Sequence, residues 1–365
     1  MTAQAGRTMN ILHCFDGGEG ANAELSIRER ISALGWEARH RFADATGGSA
    51  EFPLFSGTPG PGKLIKLARA MAQYDLVLTY GWGATNVAMA HSVFGQNLGL
   101  PPLVHHEAGL GCDPEQELGL KRSAFRRIAL RSASSVIVDT QALGEAAARN
   151  WHIARQRIQI IPPGFDMADF SRKARADQIP GLVKREGEMW LGARGADALA
   201  NTWSAIVEAF ALMPQEWHLV IVGEFAARDA VRGEADRLGI SHRVHLPGAV
   251  ADTPEGFALF DMYVAAPCGL AFPQGTAKAM AAGLAVCAVQ GDESANMPPA
   301  ENARFLARSN DSDPLADALV AQADDALGRS QAGRANRIKA QTQYDTAHCL
   351  TAYRKAYSAA LGQEI

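Results

Sequence analysis

Apolar residues along the chain fall in short runs separated by amphipathic stretches. Asn10 to Phe15 (NILHCF) is a short apolar run that gives way to the polar, glycine-rich DGGEGAN at 16–22. The following AELSIRERISALG places Leu25, Ile27, Ile31 and Leu34 near one helical face, with Gly35 as a natural stop. The order predicted here is strand, loop, helix. Strand-like runs recur at Leu76 to Thr79, Leu103 to His105, Val136 to Val138 and Ile158 to Ile161, with helical patterns between most of them. Such alternation predicts a parallel sheet covered by helices on both faces. Residues 47–62 carry several glycines and prolines and little periodicity, and predict a long loop.

The second half repeats this logic. Strands are predicted at Met189 to Leu191, Trp217 to Val222, Val244 to Leu246, Met262 to Ala265 and Ala285 to Val289. Helices alternate with them at Asn201 to Leu212, Asp229 to Leu238, Glu255 to Phe260 and Gly275 to Ala282. Between the halves, Pro162 to Glu188 clusters its charges in SRKARAD and KREGE and reads as a hinge belonging to neither core. Ala347 to Leu361 is long enough for a helix and carries Tyr353 and Tyr357 at helical spacing.

The chain has 365 residues, more than one hydrophobic core serves, so two domains are expected. Its 47% apolar and 20% charged residues are the balance of a globular protein, and a net charge of -4 gives no global attraction to nucleic acid. No apolar run reaches the roughly 18 residues needed to cross a bilayer, and MTAQAGRTMN lacks the apolar core of a secretion signal. Cys14, Cys112, Cys268, Cys287 and Cys349 are scattered and not spaced as metal ligands. These features lead us to expect a cytoplasmic protein without disulfides or structural zinc.

Five segments, in order, resemble glycosyltransferase family 4. They are SSVIVDTQALGEAAARNWHIARQRIQIIPPGFDMADF (134–170), AIVEAFALMPQEWHLVIVGEF (205–225), RVHLPGAVADTPEGFALFDMYVAAP (243–267), AMAAGLAVCA (279–288) and NARFLARSNDSDPLADALVAQADD (302–325). WGATNVAMAH, HHEAGLGCDPEQE and KRSAFRRIALRSA further resemble members that build surface polysaccharides. The resemblance implies the α/β GT-B fold, two doubly wound, Rossmann-like parallel-sheet domains with an interdomain cleft. The implied division is an acceptor-side domain at 1–170, a hinge at 171–188, a nucleotide-sugar-binding domain at 189–345 and a C-terminal helix at 346–365 returning to the first domain.

The implied activity is transfer of a sugar, with retention, from a nucleoside-diphosphate sugar to a saccharide or lipid-linked acceptor. No cofactor is implied, and no metal is required. Glycine loops and helix amino termini can hold a diphosphate through backbone N–H groups and the helix dipole. Two loops have that form, Asp16 to Asn22 and Cys268 to Thr276. Donor-binding candidates are accordingly Gly17, Gly18, Arg194, Gly223, Val250, Gly269, Gly275, Thr276 and Lys278.

The chain departs from the family pattern where the second domain should carry two glutamates. Aligned through AMAAG, those positions hold Leu270 and Lys278, and neither accepts a hydrogen bond as a carboxylate does. The paired basic residues fall near Ala196 and Asn201, with Arg194 close by. Lys278 then either supplies the missing positive charge or is a solvated helix residue. In the first domain Ala108 stands where the family has a histidine or aspartate. His106 and Glu107 are therefore the catalytic candidates, and His105 reads equally as a packed histidine. Lys121, Arg122, Arg126, Arg127 and Arg131 have helical spacing and form either a solvated face or one that attracts anionic lipid headgroups, the latter giving peripheral contact at the inner membrane face. The alternative to an active transferase is a catalytically impaired homologue serving as a nucleotide-binding or partner-binding subunit.

Overall fold

The structure is a computed structural model that describes residues 8–15, 22–44, 52–55, 57, 59–107, 119–171, 174–195 and 202–365. The chain divides into two compact units. The first comprises 1–110, 114–162 and 349–365, and the second 111–113 and 163–348.

In the first unit the elements run β1 (Asn10–Phe15), α1 (Asn22–Leu34), β2 (Arg39–Asp44), α2 (Pro61–Met71), β3 (Leu76–Tyr80), α3 (Thr85–Leu98), β4 (Leu103–Glu107), α4 (Leu120–Ala129), β5 (Ser135–Val138), α5 (Gln141–Asn150) and β6 (Ile158–Ile160). The strands pair in parallel in the order β2-β1-β3-β4-β5-β6. Ile11, Leu76, Leu78, Val104 and Ile137 form one core with Trp36, Cys349, Tyr353 and Tyr357. The two tyrosines and the cysteine bring the C-terminal residues into this unit.

The second unit runs β7 (Met189–Arg194), α6 (Thr202–Ala211), β8 (Trp217–Val222), α7 (Arg228–Arg237), β9 (Val244–Gly248), α8 (Pro254–Phe257), β10 (Met262–Val264), α9 (Gln274–Ala281), β11 (Val286–Val289), α10 (Glu293–Asn296), β12 (Leu306–Ala307), α11 (Ser312–Asp324) and α12 (Ala326–Gln343). Helix α13 (Thr346–Leu361) then crosses from the second unit's residues into the first. The second sheet has the order β12-β11-β10-β7-β8-β9. Both faces of its inner strands β7, β8, β10 and β11 are buried, because alternate residues of these strands enter different cores. Leu191, Ala193, Leu219, Ile221, Met262 and Val264 enter one, and Trp190, Val220, Val222, Tyr263 and Ala265 the other.

The segment Pro162 to Glu188 differs from its reading as a free hinge. Met167, Phe170 and Ile179 are buried in the second unit's core. Phe165 N–H donates to the Tyr344 carbonyl at 2.8 Å, and Thr346 N–H to the Phe165 carbonyl at 3.1 Å. Gly164 permits this pairing, since a Cβ there would lie 2.8 Å from Thr346 Cα. Of the described charges in this segment, Arg175, Asp177, Arg185 and Glu186 are exposed, whereas Lys184 reaches Asp261 at 2.6 Å.

Among the described residues no helix is long and apolar enough to cross a membrane, and no group of three His, Cys, Asp or Glu residues is placed to hold a metal. Cys14, Cys268, Cys287 and Cys349 are buried and form no disulfide with one another.

Candidate functional site

In an open parallel sheet, ligands bind beyond the carboxyl ends of the strands where the strand order reverses. In the second sheet that reversal lies between β7 and β10, which are neighbours although strands β8 and β9 separate them along the chain. Arg194 is the last residue of β7, and the segment after β10 leads through Gly269 into α9. Gly269 has φ +67°, in the left-handed region that favours glycine. Cys268 N–H donates to Asp292 Oδ2 at 3.2 Å and so pins the start of this segment.

The structure brings Arg194 and Lys278 together through a residue that the sequence did not single out. Arg194 Nε donates to Asp252 Oδ2 at 2.7 Å, and Lys278 Nζ donates to Asp252 Oδ1 at 2.7 Å. All three side chains are only 16% exposed. Lys278 lies in the last turn of the eight-residue α9 rather than near its start, and its ammonium stands 5.8 Å from the centre of the Phe257 ring. It is thus neither a free solvated residue nor an isolated charge. Gly275 and Thr276 are buried in the first turn of the same helix.

Gly223 directly follows β8 and Gly248 ends β9, with φ +87° and +80°, and Gly223 N–H donates to the Gly248 carbonyl at 3.0 Å. Val250 lies in the short 3-10 turn Ala249–Ala251, but its side chain lies outside the described residues. Gly17 and Gly18, together with Ala108, Ala196 and Asn201, also lie outside them.

In the first unit a pocket of about 190 Å³ opens at the carboxyl ends of β3, β4 and β5. Arg30, Tyr80, His106, Glu107, Asp139 and Tyr353 supply its polar and aromatic lining. The Arg30 guanidinium lies 4.3 Å from the Tyr353 ring centre. Tyr80 stacks on His106 with ring centres 4.4 Å apart.

His106 and Glu107 therefore do line a pocket, but their polar atoms are engaged within the chain. His106 Nδ1 donates to the Thr79 carbonyl at 3.2 Å, and Nε2 accepts from the Tyr357 hydroxyl at 2.8 Å, an assignment fixed by the carbonyl being only an acceptor. Burial first, and then the nearby Arg30 charge, hold the His106 pKa well below its ordinary value. The imidazole is thus neutral. A further chain of hydrogen bonds joins the Tyr80 hydroxyl to His13 Nδ1 at 3.1 Å and His13 Nε2 to His40 Nδ1 at 3.0 Å.

The Glu107 carboxylate accepts from Arg126 Nε at 3.0 Å and is 3.4 Å from His105 Nε2. His105 is fully buried and bonds Thr79 Oγ1 at 2.9 Å, the packed reading of that residue. Burial raises the Glu107 pKa, but His105 and Arg126 outweigh it and leave the carboxyl below its usual value. Arg126 corrects the reading of the basic cluster as one continuous exposed face. It is 0% exposed and packs its guanidinium 4.9 Å from the ring centres of Trp82 and Trp151.

Arg30, Tyr80, Asp139, Tyr353 and Asp252 are the site residues that sequence reasoning missed. For Tyr353 its helical spacing with Tyr357 was a usable signal. Asp252 had none, since its partners lie 58 and 26 residues away in the chain.

Known proteins agree with this architecture. The family model described as "Glycosyl transferase 4-like domain" matches residues 25–164, and that described as "Glycosyl transferases group 1" matches residues 187–325. No curated protein sequence matches the chain. Among solved structures, HepE of Anabaena in complex with UDP is 18% identical, covering 96% of this chain and 100% of that one with a TM-score of 0.74. A glycosyltransferase from Rickettsia africae is 13% identical over 98% and 99% of the two chains with a TM-score of 0.75. Sucrose-phosphate synthase from Thermosynechococcus elongatus is 18% identical over 97% and 100%, with a TM-score of 0.69. With family models matching both halves and two Rossmann-like parallel sheets of the GT-B fold, the chain belongs to the glycosyltransferases of the family 4 type.

Proposed function

We propose that this glycosyltransferase moves a sugar, with retention, from a nucleoside-diphosphate sugar to a saccharide or lipid-linked acceptor during synthesis of a surface polysaccharide or glycoconjugate. The observation that carries the reading is the convergence of Arg194 and Lys278 at the strand-order reversal of the second sheet. Two cations there neutralise the donor diphosphate and the charge that grows on the departing phosphate, without a metal. Gly269, Gly275 and Thr276 bring backbone N–H groups to the same phosphates, and Gly223 and the turn at Val250 border the nucleobase. HepE has been solved with UDP-glucose, which makes a uridine donor the first to test.

In the same reading the first unit's pocket takes the acceptor. Tyr80 and Tyr353 offer aromatic faces to a sugar ring, and His106 and Glu107 act by fixing the pocket wall rather than as free bases. The loss of carboxylates at Leu270 and Lys278 favours the second reading, a nucleotide-binding subunit without transferase activity. A Lys278→Ala variant tests the site. A charge-assisted contact is worth roughly 1.5–3 kcal/mol, so UDP binding measured by calorimetry should weaken on the order of tenfold to a hundredfold. Unchanged affinity would remove Lys278 from the site. If UDP binds but UDP-glucose is not turned over with any acceptor tested, the subunit reading holds.

The protein also works as a peripheral protein at an anionic cytoplasmic membrane face, in this proposal. The support is the outer side of α4 and the residues just after it, where Lys121, Arg127 and Arg131 are exposed beside Leu120, 91% exposed, and Ile128, 52% exposed. Basic residues near such a surface contribute about 1 kcal/mol each. Reversing two charges with Lys121→Glu and Arg127→Glu should therefore lower sedimentation with phosphatidylglycerol-containing vesicles on the order of thirtyfold or more. Equal sedimentation of the variant, or none by the unaltered chain, would contradict this.

A further inference from the structure

We propose that Asp252 is a positioning residue that sets the affinity of the diphosphate site. Its carboxylate holds Arg194 and Lys278 in register while the site is empty and competes with incoming phosphates for both cations. This rests on the reading of Arg194 and Lys278 as the diphosphate site.

Three separate elements meet at this carboxylate. Arg194 ends β7, Lys278 comes from α9, and Asp252 follows the turn after β9. Each carboxylate oxygen takes one cation at 2.7 Å, so the geometry is divided evenly between the partners. Two cationic heads converging on one place repel unless an anion lies between them, and the repulsion is stronger where water is largely excluded. At 16% exposure the three groups are in such a place. Asp252 is thus the resident anion, and it leaves the trio with a net charge of +1. A diphosphate reaching the same two cations meets a like charge already seated between them. The consequence is a site held ready for its ligand but kept from binding it too tightly, which favours release of the nucleoside diphosphate after transfer.

Asp252 also separates this site from one that reads ribose. A carboxylate accepting ribose hydroxyls would strengthen binding of a nucleotide and leave inorganic pyrophosphate unaffected, whereas a competing anion weakens both. The Asp252→Asn change keeps the shape and one acceptor oxygen but removes the charge, raising the trio to +2.

The experiment is calorimetric titration of the unaltered chain, Asp252→Asn and Asp252→Ser with pyrophosphate and with UDP at two salt concentrations, with thermal unfolding to establish that each variant is folded. Asp252→Glu serves as the charge-conserving control. The neutral variants should bind both ligands about tenfold more tightly, with a steeper loss of affinity as salt is raised, and Asp252→Glu should stay near the unaltered chain. With UDP-glucose as donor, KM should fall in Asp252→Asn together with kcat, because product leaves more slowly. Equal or weaker pyrophosphate binding by a folded neutral variant overturns the proposal while leaving the diphosphate site standing. Weaker UDP binding with unchanged pyrophosphate binding also overturns it, in favour of ribose recognition. If the unaltered chain binds neither ligand, the site and the proposal fall together.

Discussion

Replacing Glu107 with alanine is expected to destabilise the first unit by about 3–5 kcal/mol, the range for removing one partner of a buried ion pair. The carboxylate is 2% exposed and its partner Arg126 is fully buried, so water cannot replace the lost anion. The same deletion leaves His105 Nε2 without the acceptor at 3.4 Å. For a unit of this size the loss corresponds to a fall of roughly 10 °C in Tm. The electrostatic origin is separable from packing. A double variant, Glu107→Leu with Arg126→Met, removes both charges and should recover most of the stability, because no buried guanidinium then remains beside the missing carboxylate. Denaturant unfolding of the three proteins decides it. A Glu107→Ala protein as stable as the unaltered chain would show that the carboxylate is not a structural element and would return it to the free acids of the pocket.

A second large effect is expected on acidification. His13 and His106 have pKa values well below the ordinary 6.5, in both cases chiefly because burial penalises the charged ring. His40 and Arg30 add to this for His13, and Arg30 for His106. The folded pKa is depressed and the unfolded one is ordinary. Above pH 6.5 both states are neutral and the two rings make stability independent of pH. Below it the unfolded chain gains protons that the folded chain does not, so stability is lost as pH falls toward the folded pKa. Each such ring contributes a slope of about 1.4 kcal/mol per pH unit once well below 6.5. His40, His91, His218 and His245 shift in the same direction, again led by burial. Urea unfolding at pH 7.5 and pH 5.0 should therefore show a loss of several kcal/mol, and a variant with glutamine at both His13 and His106 should lose much less. A midpoint that does not move between these pH values would contradict the buried, neutral state of the rings.

The strands that carry the sites were legible because both of their faces are buried, which leaves continuous apolar runs such as NILHCF and WHLVIV. Strand β2 and helix α12 were among the elements that were not. Strand β2, RHRFAD, lies at a sheet edge and exposes Arg39 and Arg41, so only Ala43 is fully buried and no apolar run marks it. Helix α12 buries Gly328, Ala332, Gly333, Asn336 and Ala340, small or polar residues that leave no apolar stripe. Gly333 is there because a Cβ would lie 2.0 Å from the Gly283 carbonyl oxygen, a close approach that no periodicity can announce.

The site was legible in the same uneven way. Arg194 and Lys278 follow from the family alignment and from the need for positive charge, whereas Asp252 is visible only once three distant segments are brought together. His106 and Glu107 were read as catalytic candidates and line a pocket, but their engagement with Tyr357 and Arg126 depends on partners from α13 and α4. Composition and spacing carry the type of a residue and its element. Which of its atoms are already paired is a property of the tertiary structure.

The central claim is that Arg194 and Lys278 form a working diphosphate site in the second unit. It is tested most directly by calorimetric titration of the unaltered chain with UDP at millimolar ligand, beside a folded variant carrying alanine at both positions. Saturable binding by the unaltered chain, weakened at least a hundredfold in the double variant, is the result the account predicts. Absence of binding at millimolar UDP, or equal affinity of the two proteins, would contradict it.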